Sequence, residues 1–196
     1  MKGGKMVQRE TYGIRWKKRK GRATWRRIAV LLALVAIGSM DGGAAQAKEG
    51  EFGLTLAAGS GYLVGYTPDK AAPDSTITAR NPAFLDLDLQ YEATPHLAPS
   101  LRLEMTVEQG GALTIVPNLV FDSDGDKVTV FGRTGVAIRT EPNYYGLDFG
   151  VGVIWHFIRH LGFVAEFNVE PLFLGDGLTG GIVVPLLGFA GFRGNV

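Results

Sequence analysis

From Phe84 to Glu92 apolar and polar residues alternate without a break. Leu85, Leu87, Leu89 and Tyr91 fall on one face, and Asp86, Asp88, Gln90 and Glu92 fall on the other. Ser100 to Glu108 repeats the pattern, with Leu101, Leu103, Met105 and Val107 opposite Arg102, Glu104, Thr106 and Glu108. A period of two puts these sets on opposite faces of a strand, whereas the 3.6-residue period of a helix scatters them. Both segments therefore predict strands, joined through Thr94–Pro99, whose prolines are expected to end the ladder.

The same pattern predicts six further strands. Glu51 to Tyr66 places Phe52, Leu54, Leu56, Tyr62, Val64 and Tyr66 against a side made mostly of small residues, Gly53, Thr55, Ala57, Gly59, Gly61 and Gly65. Ala112 to Phe121 alternates around Pro117, where a bulge or local break is expected. Val128 to Arg139 sets Val128, Val130, Val136 and Ile138 against Thr129, Arg133 and Arg139. Leu147 to Phe157 carries the longest apolar row, opposite Asp148, Gly150, Gly152 and His156. Phe163 to Val169 alternates with Glu166, Asn168 and Glu170. A last strand, about Thr179 to Arg193, is apolar on both faces, and its register is not readable.

Short turns at 122–126 and 159–162 make the neighbours antiparallel hairpins. Eight strands return both termini to one side, as an outer-membrane barrel requires, and strands near ten residues suit a tilted span. With the N-terminus in the periplasm, the long 67–83 loop, Gly110-Gly111, 140–146 and 174–178 face outward, and 94–99, 122–126 and 159–162 face inward. The expected fold is all-β: an eight-stranded antiparallel up-and-down transmembrane β-barrel over 48–196, preceded by a signal peptide.

Charge separates that leader from the rest. Residues 1–47 hold 11 of the 20 Lys and Arg and only two acids, Glu10 and Asp41, so 48–196 has 9 bases against 17 acids, a balance of −8. A nucleic-acid binder is not indicated by an acidic remainder. The basic run Arg15–Arg27, the apolar run Ile28–Ile37 and the small residues ending in Ala45-Gln46-Ala47 have the order of a secretory signal, with cleavage expected after Ala47. Ten apolar residues in a helix cover about 15 Å, roughly half a bilayer core, so a membrane anchor is not predicted there. Cysteine is absent, which excludes disulfides and thiolate chemistry.

Alternation alone does not separate a membrane barrel from a soluble one, because both have period two and differ only in which face points inward. The content of the polar face decides. It carries Asp86, Asp88, Glu92, Arg102, Glu104, Glu108, Arg133, Arg139, Asp148, Glu166 and Glu170 among many glycines, a composition suited to a narrow lumen in which charges pair. Aromatic residues near strand ends (Tyr62, Tyr66, Tyr91, Trp155 and Phe157) add the signature of a membrane interface.

Tyr145-Gly-Leu-Asp-Phe-Gly-Val-Gly-Val153, the turn Arg159-His-Leu-Gly162 and Val164-Ala-Glu-Phe-Asn168 together resemble the OmpA/OmpX-like family of small outer-membrane barrels, over about 51–196. The resemblance implies outer-membrane localisation in a Gram-negative cell, outer-membrane lipids and the outer-membrane assembly machinery as partners, and no cofactor. One departure is the terminus Gly191-Phe-Arg-Gly-Asn-Val196, where members usually end on an aromatic residue; Phe189 or Phe192 is left to serve instead.

Candidate chemistry is sparse. His156 and His160 are four apart, which pairs ligands on a helix but not on a strand entering a turn. Asp122-Ser-Asp-Gly-Asp126 opens like a calcium loop, yet its twelfth position is Arg133, where a bidentate Glu belongs. The three histidines, His96, His156 and His160, all fall at periplasmic ends with no nucleophile beside them, so no catalytic set is predicted. The expected site is a lumen charge network of Asp86, Asp88, Arg102, Glu104, Arg133, Arg139, Asp148, Glu166 and Glu170. The expected role is non-enzymatic: structural, adhesion-like or weakly conducting. The competing reading is a soluble periplasmic barrel holding an apolar ligand, like a lipocalin. The direction of Leu85, Leu87, Leu101 and Leu103 separates the two.

Overall fold

The computed structural model describes residues 49–67, 75–108, 111–123, 125, 127–158, 160–176, 178 and 180–195. The expected signal peptide, 1–47, lies outside the described residues. The described residues form nine strand segments: β1 (Phe52–Thr67), β2 (Ser75–Tyr91), β3 (Leu97–Thr106), β4 (Leu113–Asp122), β5 (Val128–Arg139), β6 (Tyr144–Ile158), β7 (Leu161–Val169), β8 (Leu172–Gly175) and β9 (Ile182–Asn195). Each pairs antiparallel with the next from β1 to β7. β9 pairs with both β7 and β1, which closes the sheet. β8 continues β7 beyond Glu170-Pro171 and pairs with the start of β6 and with Val183. The two segments are one stave, interrupted where Pro171 has no N–H to give, and the barrel has eight staves.

The faces follow the alternation. Leu87, Leu89, Leu101, Met105, Leu119, Val151 and Val153 are exposed on the outer wall, whereas Asp86, Asp88, Gln90, Arg102, Glu104 and Asp148 are buried inside. The four leucines of the sequence test point outward, opposite to a soluble barrel with an apolar interior. Aromatic rings gather outside near the rim where β1 begins and β9 ends. Phe52 packs on Tyr91 at 5.0 Å, and Phe192 meets Phe157 and Phe163 edge-on at 6.5 and 5.9 Å.

Several boundaries differ from expectation. The 67–83 loop is mostly strand: β2 starts at Ser75 and pairs with β1 as far as Thr67. The opposite rim of this hairpin stands clear of the apolar belt, so residues 76–80 are exposed and carry no alternation to read. β2, at 17 residues, is correspondingly longer than the Phe84–Glu92 segment expected, whereas β1, at 16, matches Glu51–Tyr66 to within a residue at each end. Between them the register slips from Gly59↔Phe84 to Gly61↔Asn81, a bulge on β2 around Pro82-Ala83. Pro99 does not end a ladder but pairs with Leu119 inside β3–β4. Pro117 produces the expected break without a bulge: the β4–β5 ladder omits Val116 and Pro117 yet keeps its register from Ile115↔Ile138 to Asn118↔Gly135. Tyr144 begins β6 rather than closing a loop, and Leu172–Gly175 is strand where a turn at 174–178 was expected. β9 has its register set on both sides, from Gly53↔Asn195 to Tyr66↔Ile182 on β1.

Inside, large side chains lie over glycines of neighbouring strands. A Cβ on Gly59 would meet the Phe84 ring at 2.5 Å, one on Gly152 the Phe131 ring at 2.4 Å, and one on Gly53 the Arg193 guanidinium at 2.7 Å. The small inner faces of β1 and β6 are thus the floor on which the lumen filling rests. Two apolar patches belong to that filling: Ala57, Phe84, Leu187 and Phe189 on β1, β2 and β9, and Ala98, Val120, Phe131, Ile154 and Val164 on β3 to β7.

Candidate functional site

A belt of charges crosses the lumen between these patches. Its hub is Arg102, which projects inward from β3 and has no exposed surface. One Nη2 lies 2.8 Å from Glu104, 2.9 Å from Asp148 and 3.2 Å from Glu170. Nη1 donates to Glu166 Oε1 at 3.0 Å, and Nε faces Asp86 at 3.9 Å. Five carboxylates from four staves therefore converge on one guanidinium, whose planar fork of five N–H donors can serve several at once. The Phe189 ring supports it, 5.1 Å from the guanidinium carbon.

Arg133 of β5 is a second centre. It stands 3.2 Å from Asp88 and 2.9 Å from Glu166, the carboxylate it shares with Arg102, and lies over the Phe131 ring at 5.4 Å. Gly150 makes room for it: a Cβ there would meet Asn168 Oδ1 at 2.3 Å, Arg133 Cγ at 2.8 Å and Glu166 Oε1 at 2.9 Å. Asn168, fully buried, donates to Asp148 Oδ1 at 3.3 Å.

Eight of the nine expected network residues meet in this belt. The ninth, Arg139, is half-buried in the cross-strand row of Thr114 and Glu104 and, among the described residues, stands apart from the belt's ion pairs. A third centre was missed. Arg193 of β9 donates to Gln90 Oε1 at 2.8 Å and to Asn195 Oδ1 at 3.1 Å, and it pairs closely with Glu92. Gln90 in turn donates to Glu92 at 2.9 Å. An arginine alone in an otherwise apolar strand was the available signal, because such a charge inside a membrane barrel needs a buried partner.

His156 reaches Thr129 Oγ1 at 3.1 Å, and the backbone carbonyl of His160 accepts from Asn195. Among the described residues no group of three His, Cys, Asp or Glu side chains could hold a metal ion. The geometry supports charge pairing and closure of the lumen.

No family model matches the chain, and no curated protein matches it. Solved structures do. The chain is similar to the outer membrane protein OprG of Pseudomonas aeruginosa, with a TM-score of 0.54 and 12% identity over 78% of this chain and 99% of that one. It is also similar to the N-terminal β-barrel domain of Pseudomonas aeruginosa OprF, with a TM-score of 0.55 and 10% identity over 76% and 98%. Neisserial surface protein A matches with a TM-score of 0.54 and 12% identity over 74% and 99%. The chain has the fold of these small outer-membrane barrels, which is the fold its sequence resemblance implies.

Proposed function

We propose that this protein is a non-enzymatic outer-membrane β-barrel with a structural or adhesion-like role, its lumen held shut by paired charges. The observation that carries the reading is the orientation of the wall: aliphatic and aromatic side chains outside, charges inside. In water the outer face would be a continuous exposed apolar surface far larger than soluble monomers present. Among lipid acyl chains it is the favourable face, and closure of the sheet satisfies every strand edge. Outer-membrane lipids are then the immediate partners. Delivery by the outer-membrane assembly machinery would read Phe192 rather than Phe189, since Phe192 faces outward and Phe189 is buried in the lumen.

Fractionation of expressing cells tests the reading. The protein is expected in the outer-membrane fraction, migrating faster on an unboiled gel than after boiling. Recovery in the soluble periplasmic fraction would overturn it.

A further inference from the structure

Nη2 of Arg102 has fewer hydrogens than carboxylate neighbours. Its two hydrogens go to Asp148 Oδ1 at 2.9 Å and to Glu170 Oε1 at 3.2 Å. Glu104 Oε1 lies nearer the same nitrogen, at 2.8 Å, yet it is buried and accepts no hydrogen bond. Glu104 and Glu170 also come within hydrogen-bonding reach of each other. Two ionised carboxylates offer only acceptors, so such a contact needs a proton between them.

The charge balance asks for the same proton. Asp86 and Asp88 of β2, Glu104 of β3, Asp148 of β6, Glu166 of β7 and Glu170 all have buried side chains. Facing them are the guanidiniums of Arg102 and Arg133, with Arg139 of β5 half-buried in the row of Glu104. Among the described residues the other staves add no charge at this level: Ala57 of β1 lies opposite Asp86, Val116 of β4 opposite Arg102, and Phe189 of β9 under the Arg102 guanidinium. Six carboxylates therefore face three guanidiniums at most. Asp86 Oδ1 and Asp148 Oδ2 are without a donor as well, so acceptors are in excess. A buried carboxylate with no cation of its own is costly enough that it takes up a proton instead.

We propose that Glu104 and Glu170 are a proton-binding site, one carboxyl donating its O–H to the other carboxylate at neutral pH. Two carboxylates side by side in a buried site cannot both ionise. The pair takes its proton from solvent as the barrel folds and returns it on unfolding, when both acids are ionised. The bound proton lowers the excess of negative charge around Arg102 and leaves both Nη2 hydrogens with Asp148 and Glu170. This site belongs to the filling of the lumen and does not depend on what surrounds the outer wall.

Above about pH 5.5 free carboxyls are ionised, so the unfolded chain holds fewer protons than the folded one, and stability falls as pH rises until the pair itself ionises. The test is equilibrium unfolding of the refolded full chain in detergent micelles. Between about pH 5.5 and about pH 7 the wild-type folding constant is expected to fall more steeply than that of Glu170→Gln, by about tenfold per pH unit. The new amide carries an N–H that replaces the shared proton, so Glu170→Gln is expected to keep the heat-modifiable barrel. Glu104→Gln supplies the same hydrogen from the other side and is held to the same results. In the infrared, wild type at neutral pH is expected to show the carbonyl band of a protonated carboxyl, weakened in either variant. Equal slopes, or a band absent from wild type or unchanged in both variants, would refute the shared proton. Loss of the barrel in both variants would refute it too, because that is the outcome for two ionised acids that each need Arg102. A chain that folds in micelles but is missing from the outer-membrane fraction defeats the membrane reading alone.

Discussion

Val151 lies at the middle of β6 and is 62% exposed on the outer wall. Replacing it with arginine distinguishes lipid from water outside the barrel. At the midplane of a membrane, an arginine on the lipid face of a β-barrel costs about 2–4 kcal/mol. That is roughly a 30- to 700-fold fall in the folding equilibrium constant. A surface that met water would respond within about ±0.5 kcal/mol, because no buried contact is lost. Tyr62→Arg, near the opposite end of the barrel and also on the outer wall, is the internal reference, and there the cost should fall to about 0–1 kcal/mol. The assay is reversible guanidinium unfolding from phospholipid vesicles, followed by Trp155, the one tryptophan between residues 48 and 196, which itself faces outward. Equal midpoints for Val151→Arg and Tyr62→Arg would refute a lipid-facing outer wall.

Three further outcomes follow from packing and pairing. Gly150→Ala drives a methyl against Asn168, Arg133 and Glu166, so a loss of about 1–3 kcal/mol is expected, whereas Gly188→Ala, whose new Cβ meets nothing nearer than Ser60 O at 3.9 Å, should stay within about 0.5 kcal/mol in the same vesicle titration. Arg193→Gln leaves Glu92 buried without its guanidinium, and a loss of about 3 kcal/mol is expected; the double variant Arg193→Met, Glu92→Leu should recover most of it, which a double-mutant cycle measures. Phe192→Ala removes two edge-on ring contacts and should lower the unfolding free energy by about 1–3 kcal/mol, with a smaller loss when Phe157 and Phe163 are already alanine, measured in the same titration.

The sequence was most legible where one face of a strand is charged. In β3 from Ser100 on, in the second half of β2 and in β6 ahead of Ile154, each inward residue contrasts with its apolar neighbours, so both fold and hub could be read from spacing. In β9 the contrast disappears. Leu187 and Phe189 point inward, because the lumen has an apolar patch of its own, while Phe192 points outward, so among the apolar residues nothing tells the faces apart and Arg193 alone marks the inner one. Arg193 and its partners were lost with that register. The stretch Ser75 to Asn81 was misread for a different reason. Residues 76–80 are exposed on both faces, and the strand is held there by its ladder with β1 and by the Arg80–Glu108 ion pair at 3.2 Å. Which carboxylates share Arg102 also depends on the stagger of staves far apart in sequence, a quantity that no local pattern encodes.

The pairing of β9 with β1, from Gly53↔Asn195 to Tyr66↔Ile182, also constrains how the molecule comes into being. The first strand waits for the last, and Arg193 meets Gln90 across 103 positions of chain. No partial product of synthesis can complete the cylinder, and such distant pairing makes folding slow and leaves strand edges open meanwhile. Until its final residues arrive, the polypeptide has two unpaired edges and an apolar exterior with nowhere to go. Closure of the cylinder therefore cannot precede the arrival of β9, however early the other seven staves pair.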